Sequence, residues 1–150
     1  MTFRFRLQNV LDYRSKQVNE AKVLVEQTRL KIKELHSLLT QERDFYLEER
    51  EQLNQCLRQS QLTQMKIYES SLEKRQTYML NLLHNLRDKQ QELKQQELAL
   101  KGFQQQEKII VKLKDLKIKE YEFYQRKLEQ KLLDEISVAG LYRQERSDVE

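Results

Sequence analysis

The chain has no proline and no tryptophan among its 150 residues, and only two glycines, Gly102 and Gly140. Proline and glycine punctuate sheets and compact loops, so a fold of many short strands and tight turns is excluded. The single cysteine, Cys56, rules out an intramolecular disulfide framework and suits a reducing compartment. Two histidines as far apart as His36 and His84 supply no metal-ligand set. No apolar run approaches the ~20 residues of a membrane span, and the opening Met-Thr-Phe-Arg-Phe-Arg-Leu lacks the apolar region of a secretory leader. These absences predict a cytoplasmic protein.

Charge of one sign is also missing. The 28 basic residues are interleaved with 24 acidic ones, as in Glu42-Arg43-Asp44 and Glu48-Glu49-Arg50-Glu51, for a net charge of +4. Tracking a phosphate backbone needs a basic surface without acidic interruption, so nucleic acid is not an expected partner. There is no Gly-rich phosphate loop, no H-E-x-x-H and no nucleophile elbow. A two-helix rod offers no concave, water-excluding site, so neither an enzyme nor a cofactor is expected.

What is present is apolar periodicity. Leu11, Val18, Val25, Ile32, Leu39, Tyr46 and Leu53 fall on one seven-residue spacing; Met65, Leu72, Met79, Leu86, Leu93 and Leu100 fall on another. Each ladder is the seam of a long helix, and holding a strict repeat of seven over many turns imposes a left-handed supercoil. A mean hydropathy of -0.90 spread as stripes buries apolar surface along a line between helices instead of filling a three-dimensional core.

The first register lapses over Leu57-Arg58-Gln59-Ser60-Gln61-Leu62-Thr63-Gln64, which places the reversal there. Thr63 is the expected cap of the second helix, with Leu62 and Ile67 spaced as a hydrophobic staple. The predicted fold is all-α: a single long antiparallel two-helix coiled-coil hairpin, with helix 1 at about 4–58, a turn at about 59–63, helix 2 at about 64–139 and a frayed tail at 140–150. Antiparallel partners then have numbers summing to about 120, and the second helix overhangs beyond about residue 117. Seam positions three residues after the first ladder hold Arg14, Thr28, Glu42 and Glu49 as well as Ala21, Leu35 and Cys56, so the seam is polar in places. Past Gly102 the ladder changes phase, as a stutter would produce.

Two regions exceed the needs of a seam. The segment Phe3-Arg4-Phe5-Arg6-Leu7-Gln8 lies beside an overhang carrying Lys108, Lys112, Lys114, Lys117, Lys119, Arg126, Lys127 and Lys131, so positive charge gathers where the chain ends meet, ready for an acidic or polar socket. Near the turn, Phe45, Tyr68, Leu72 and Met79 carry the large, soft side chains of a compact docking patch.

The chain resembles the flagellar export protein family FliJ. The residues that carry the likeness are Phe3-Arg-Phe-Arg-Leu-Gln-Asn-Val-Leu-Asp-Tyr-Arg14, the terminal Glu129-Gln-Lys-Leu-Leu-Asp-Glu-Ile136, similar to the family's E-x-K-x-x-D-E, and the segment around Tyr68 and Ser71-Leu72-Glu73-Lys74. The resemblance implies a non-enzymatic stalk whose joined ends enter the hexameric ring of the export ATPase FliI, here through Phe3, Phe5, Leu7, Lys131, Asp134 and Glu135. It also implies binding of the export gate FlhA through Phe45, Tyr68, Leu72 and Met79, with export chaperones as further partners, at the cytoplasmic face of the inner membrane. Glu49 and Arg75 depart from the family pattern, standing where it has an aromatic and a small residue. The alternatives are a coiled-coil scaffold that self-associates along its seams, and a stalk of an injectisome or another rotary ATPase.

Overall fold

A computed structural model describes residues 2–149. Two helices, α1 (Gln8–Arg58) and α2 (Leu62–Ser147), account for almost all of them, and there is no strand among the described residues. The two helices pack against each other, as the expected all-α hairpin requires. The chain divides into two compact units, one made of the chain up to Lys16 and from Gln104 on, the other of Gln17–Phe103.

In the unit Gln17–Phe103, Val18, Ala21, Val25 and Cys56 of α1 and Leu72, Leu82 and Leu86 of α2 are buried, with Val25 only 2% exposed. The ladder positions thus supply most of this core. Polar seam residues meet polar partners from the opposite helix. The buried Thr28 donates its hydroxyl to Gln96 Oε1 at 2.6 Å, and Arg29 pairs with Glu97 at 3.2 Å. Nearer the turn, Ser71 donates to both carboxylate oxygens of Glu49, and Gln76 donates to the Tyr46 hydroxyl. These partners have numbers summing to about 120–126, the register of an antiparallel pair folded near residue 60.

The reversal is tighter than the sequence pattern suggests. Ser60 takes the left-handed conformation at φ 57°. The Gln61 N–H bonds back to the Cys56 carbonyl at 3.1 Å, and the Ser60 N–H to Leu57 at 3.4 Å. These are the two bonds of a Schellman C-cap, which ends α1 and satisfies carbonyls its last turn would leave orphaned. α2 starts at Leu62, not at 64, so Thr63 stands inside its first turn instead of capping it. The staple does not form either: Leu62 already belongs to the helix, and Leu62 and Ile67 are both exposed. An L-residue in this conformation is strained where glycine is not. Ser60→Gly should therefore raise the unfolding free energy by about 0.5–1 kcal/mol, read as a shift of the urea midpoint at constant slope.

Two further boundaries differ from expectation. α1 begins at Gln8, not at 4, because Phe3-Arg4-Phe5-Arg6 alternates with a period of two. An extended chain puts both rings on one side, where they are half-buried, and leaves both arginines exposed; a helix would set the rings about 200° apart. At the other end α2 continues through the expected frayed tail to Ser147. Gly140 costs only about 1 kcal/mol of helix propensity, and without proline nothing there breaks the hydrogen-bond ladder. A Cβ built at Gly102 or Gly140 would meet nothing within 4 Å, so neither glycine marks a close approach.

Candidate functional site

The first candidate surface lies in the unit that contains the N-terminal segment. The Phe3 ring packs against Tyr121 of α2 with centroids 5.6 Å apart, and the Lys114 ammonium stands 6.0 Å above the Phe5 ring. Lys114 also donates to the Gln8 side chain at 2.9 Å, which ties the start of α1 to α2. Farther along, Arg14 donates to Gln106 and Ser15 to Glu107. A ring buried on one face and capped by a cation is held in place more firmly than a free aromatic.

This strap leaves a cavity on each side. One, of about 560 Å³, is lined by Phe3, Arg4, Phe5, Arg6, Gln8, Asn9 and Lys114; the other, of about 540 Å³, by Phe3, Arg4, Phe5, Arg6, Leu7, Leu113 and Lys117. Neither lining contains a carboxylate, and the first turn of α1 has no acidic residue. Lys117 is paired with Glu120 at 2.8 Å, whereas Arg4, Arg6 and Lys114 make no ion pair among the described residues, and cations rimming aromatic side chains suit an acidic partner surface. Lys131, Asp134 and Glu135 do not join this group. They follow Tyr121 by ten residues or more, about 15 Å along the helix, on a stretch exposed at every described residue from 126 on.

The second candidate surface lies in the unit Gln17–Phe103, beside the turn. Arg75 occupies a seam position, with its Nη1 2.9 Å from Glu42 Oε2 and its Nε 3.1 Å from Glu49 Oε1. Burial of this guanidinium opposes its charge, but its contacts with the Glu49 and Glu42 carboxylates outweigh that cost, and its pKa is raised. The same guanidinium lies over the Phe45 ring at 5.1 Å, so Phe45, 39% exposed, is covered on one face. The two positions that depart from the family pattern are thus each other's partners.

Of the four residues expected at this patch, Phe45 is exposed, Tyr68 and Met79 are half-buried, and Leu72, at 8% exposure, is packed in the seam. Met79 lines a groove of about 430 Å³ with Leu39, Arg43, Gln76, Leu80 and Leu83. Leu80 and Leu83 escape a search for sevenfold ladders because they stand one place outside the seam. Their signal is the doubled apolar pairs Met79-Leu80 and Leu82-Leu83.

No helix among the described residues is long and apolar enough to cross a membrane, and no group of three or more His, Cys, Asp or Glu among them could hold a metal ion. No curated protein and no solved structure matches the chain significantly. The family model described as flagellar FliJ protein matches residues 3–146, nearly the whole chain. Matched along nearly its whole length and folded as a helical hairpin, the chain belongs to the flagellar FliJ family, a group of coiled-coil proteins related to flagellar export.

Proposed function

We propose that the protein is a non-enzymatic stalk and adaptor of the flagellar export apparatus, which occupies the central hole of the hexameric export ATPase and promotes ring assembly and ATP hydrolysis. The observation that carries this reading is the strap at the chain ends. Phe3 and Phe5 are fixed on α2, and Arg4, Arg6, Lys114 and Lys117 rim their cavities without a carboxylate among the lining residues. One asymmetric stalk in a near-symmetric ring makes different contacts with each subunit, which favours assembly and staggers the nucleotide states. Phe3, Phe5 and Leu7 form the anchored part of the ring-facing end, and Lys131, Asp134 and Glu135 its extension.

The other surface, Phe45, Tyr68 and Met79 with Leu72 beneath them, faces the export gate, and export chaperones are further partners. On this reading the protein works in the cytoplasm, at the membrane face only through its partners. The test is ATP hydrolysis by the cognate export ATPase with and without the purified protein, together with ring assembly by sizing. Stimulation of hydrolysis by several-fold and a shift of the ATPase to hexamers are expected. Neither binding nor stimulation would overturn the stalk reading in favour of a scaffold.

A further inference from the structure

Among the described residues, the part of α2 beyond the strap packs against no other element. Within its unit, Phe3 packs on Tyr121, Gln125 is half-buried, and every described residue from 126 on is exposed. The stretch is not polar throughout. Leu128, Leu132, Ile136, Ala139 and Tyr142 fall within about 120° of the helix circumference, as a core-facing stripe does. Leu132 is 58% and Ile136 67% exposed. An isolated helix of this length is marginal in water, and burial of such a stripe is the usual source of its stability.

We infer that this stripe is covered by the same stripe of a second copy of the chain, the two overhangs lying antiparallel with their ends flush. Length sets the register. The unpartnered stretch runs from about Gln125 to Ser147, so a flush pair is centred near Ile136. Ile136 then meets Ile136 of the other copy, and Leu132 comes level with Gly140, one residue from Ala139. Leu128 comes level with Gln144, two residues or about 3 Å from Tyr142. The same register sets Lys127 against Glu145 to one side of the stripe, and Glu129 at its other edge against Arg143, which lies between Leu132 and Ile136 around the helix; the charges are opposite in both pairs. Glu129, Arg143 and Glu145 make no ion pair among the described residues, and Lys127 only stands 4.7 Å above the Phe123 ring. The pairing therefore breaks no existing salt bridge. Because Glu135 lies within the arc of the stripe and Lys131 beside it, the pairing would keep part of the ring-facing end occupied until the ATPase displaces it; that consequence, unlike the pairing itself, rests on the proposed function.

Light scattering on the full chain tests the pairing without the ATPase. As the concentration rises from about 10 to about 500 μM, the mass should climb from 18.4 kDa toward twice that value. Leu132→Glu with Ile136→Glu should hold it at the monomer mass. Two charge variants fix the register: Lys127→Glu with Arg143→Glu places only acidic groups at the flanks, and Glu129→Lys with Glu145→Lys only basic ones. Each should be monomeric alone, with the helix content by circular dichroism of the dilute, monomeric wild type, and their equimolar mixture should regain the dimer mass. A wild type that stays at 18.4 kDa throughout overturns the inference, as do charge variants that dimerise like the wild type or a mixture that stays monomeric.

Discussion

Arg75→Ala should lower the unfolding free energy by about 2 kcal/mol. The guanidinium sits between two carboxylates of the opposite helix, with the three side chains 28%, 20% and 19% exposed. Removing one member of a fully buried pair costs about 3–5 kcal/mol, because the remaining charge is stranded; partial exposure reduces that figure. Here two like charges are stranded together, and the Ser71 hydroxyl can solvate only Glu49. Arg75→Lys keeps the charge but loses the fork geometry, so its loss should be smaller. Urea titrations at neutral pH measure both losses, and an Arg75→Ala deficit no larger than that of Arg75→Lys would overturn the assignment.

Arg75 also shows where sequence reading stops. The spacing of Val18, Val25, Leu72 and Leu86 was enough to name four of the buried side chains, because a helix repeats its faces whatever it packs against. Leu82 is equally buried and lies on neither ladder; it enters the core as the second residue of a seam whose three-and-four alternation a strict count of seven skips. The pairing of Glu42 and Glu49 with Arg75 is a fact about two helices at once. It depends on a register that drifts with the shape of the turn, so no property of one helix reveals it. The turn itself was placed to within a few residues. Its mechanism was not, because a serine held at positive φ by two backbone bonds leaves no glycine or asparagine to announce it.

The candidate sites divide along the same line. The alternation Phe3-Arg4-Phe5-Arg6 marked one of them in plain sequence, but as the start of a helix; the structure makes it a strap whose two cavities are completed by Lys114 in one and by Leu113 and Lys117 in the other, residues from far along the chain. Near the turn, Leu72 looked like the other apolar residues of the patch and is instead seam, whereas Leu80 and Leu83 join Met79 in the groove. Side chains at the edge of a coiled coil are divided between core and surface by the supercoil angle, which the pattern of one ladder does not define.

Deleting residues 126–150 should abolish stimulation of the export ATPase while leaving the hairpin folded. The deleted stretch carries no described side chain that is even half-buried, so its removal exposes little apolar surface. Phe3 keeps Tyr121, Lys114 keeps Phe5 and Gln8, and Arg14 keeps Gln106, so the strap and its cavities survive. The urea midpoint should therefore stay close to that of the full chain, which separates loss of function from loss of fold. Under the proposed function stimulation should fall to the basal rate of the ATPase alone, because Lys131, Asp134 and Glu135 leave with the stretch and only the strap remains to meet the ring. The complementary variant, Phe3→Ala with Phe5→Ala, keeps the overhang but frees the segment that carries Arg4 and Arg6, and should weaken binding without a large change in the maximal stimulated rate. Undiminished stimulation by the truncated chain would place the ring contacts on the paired part of the hairpin and overturn the role given to the overhang.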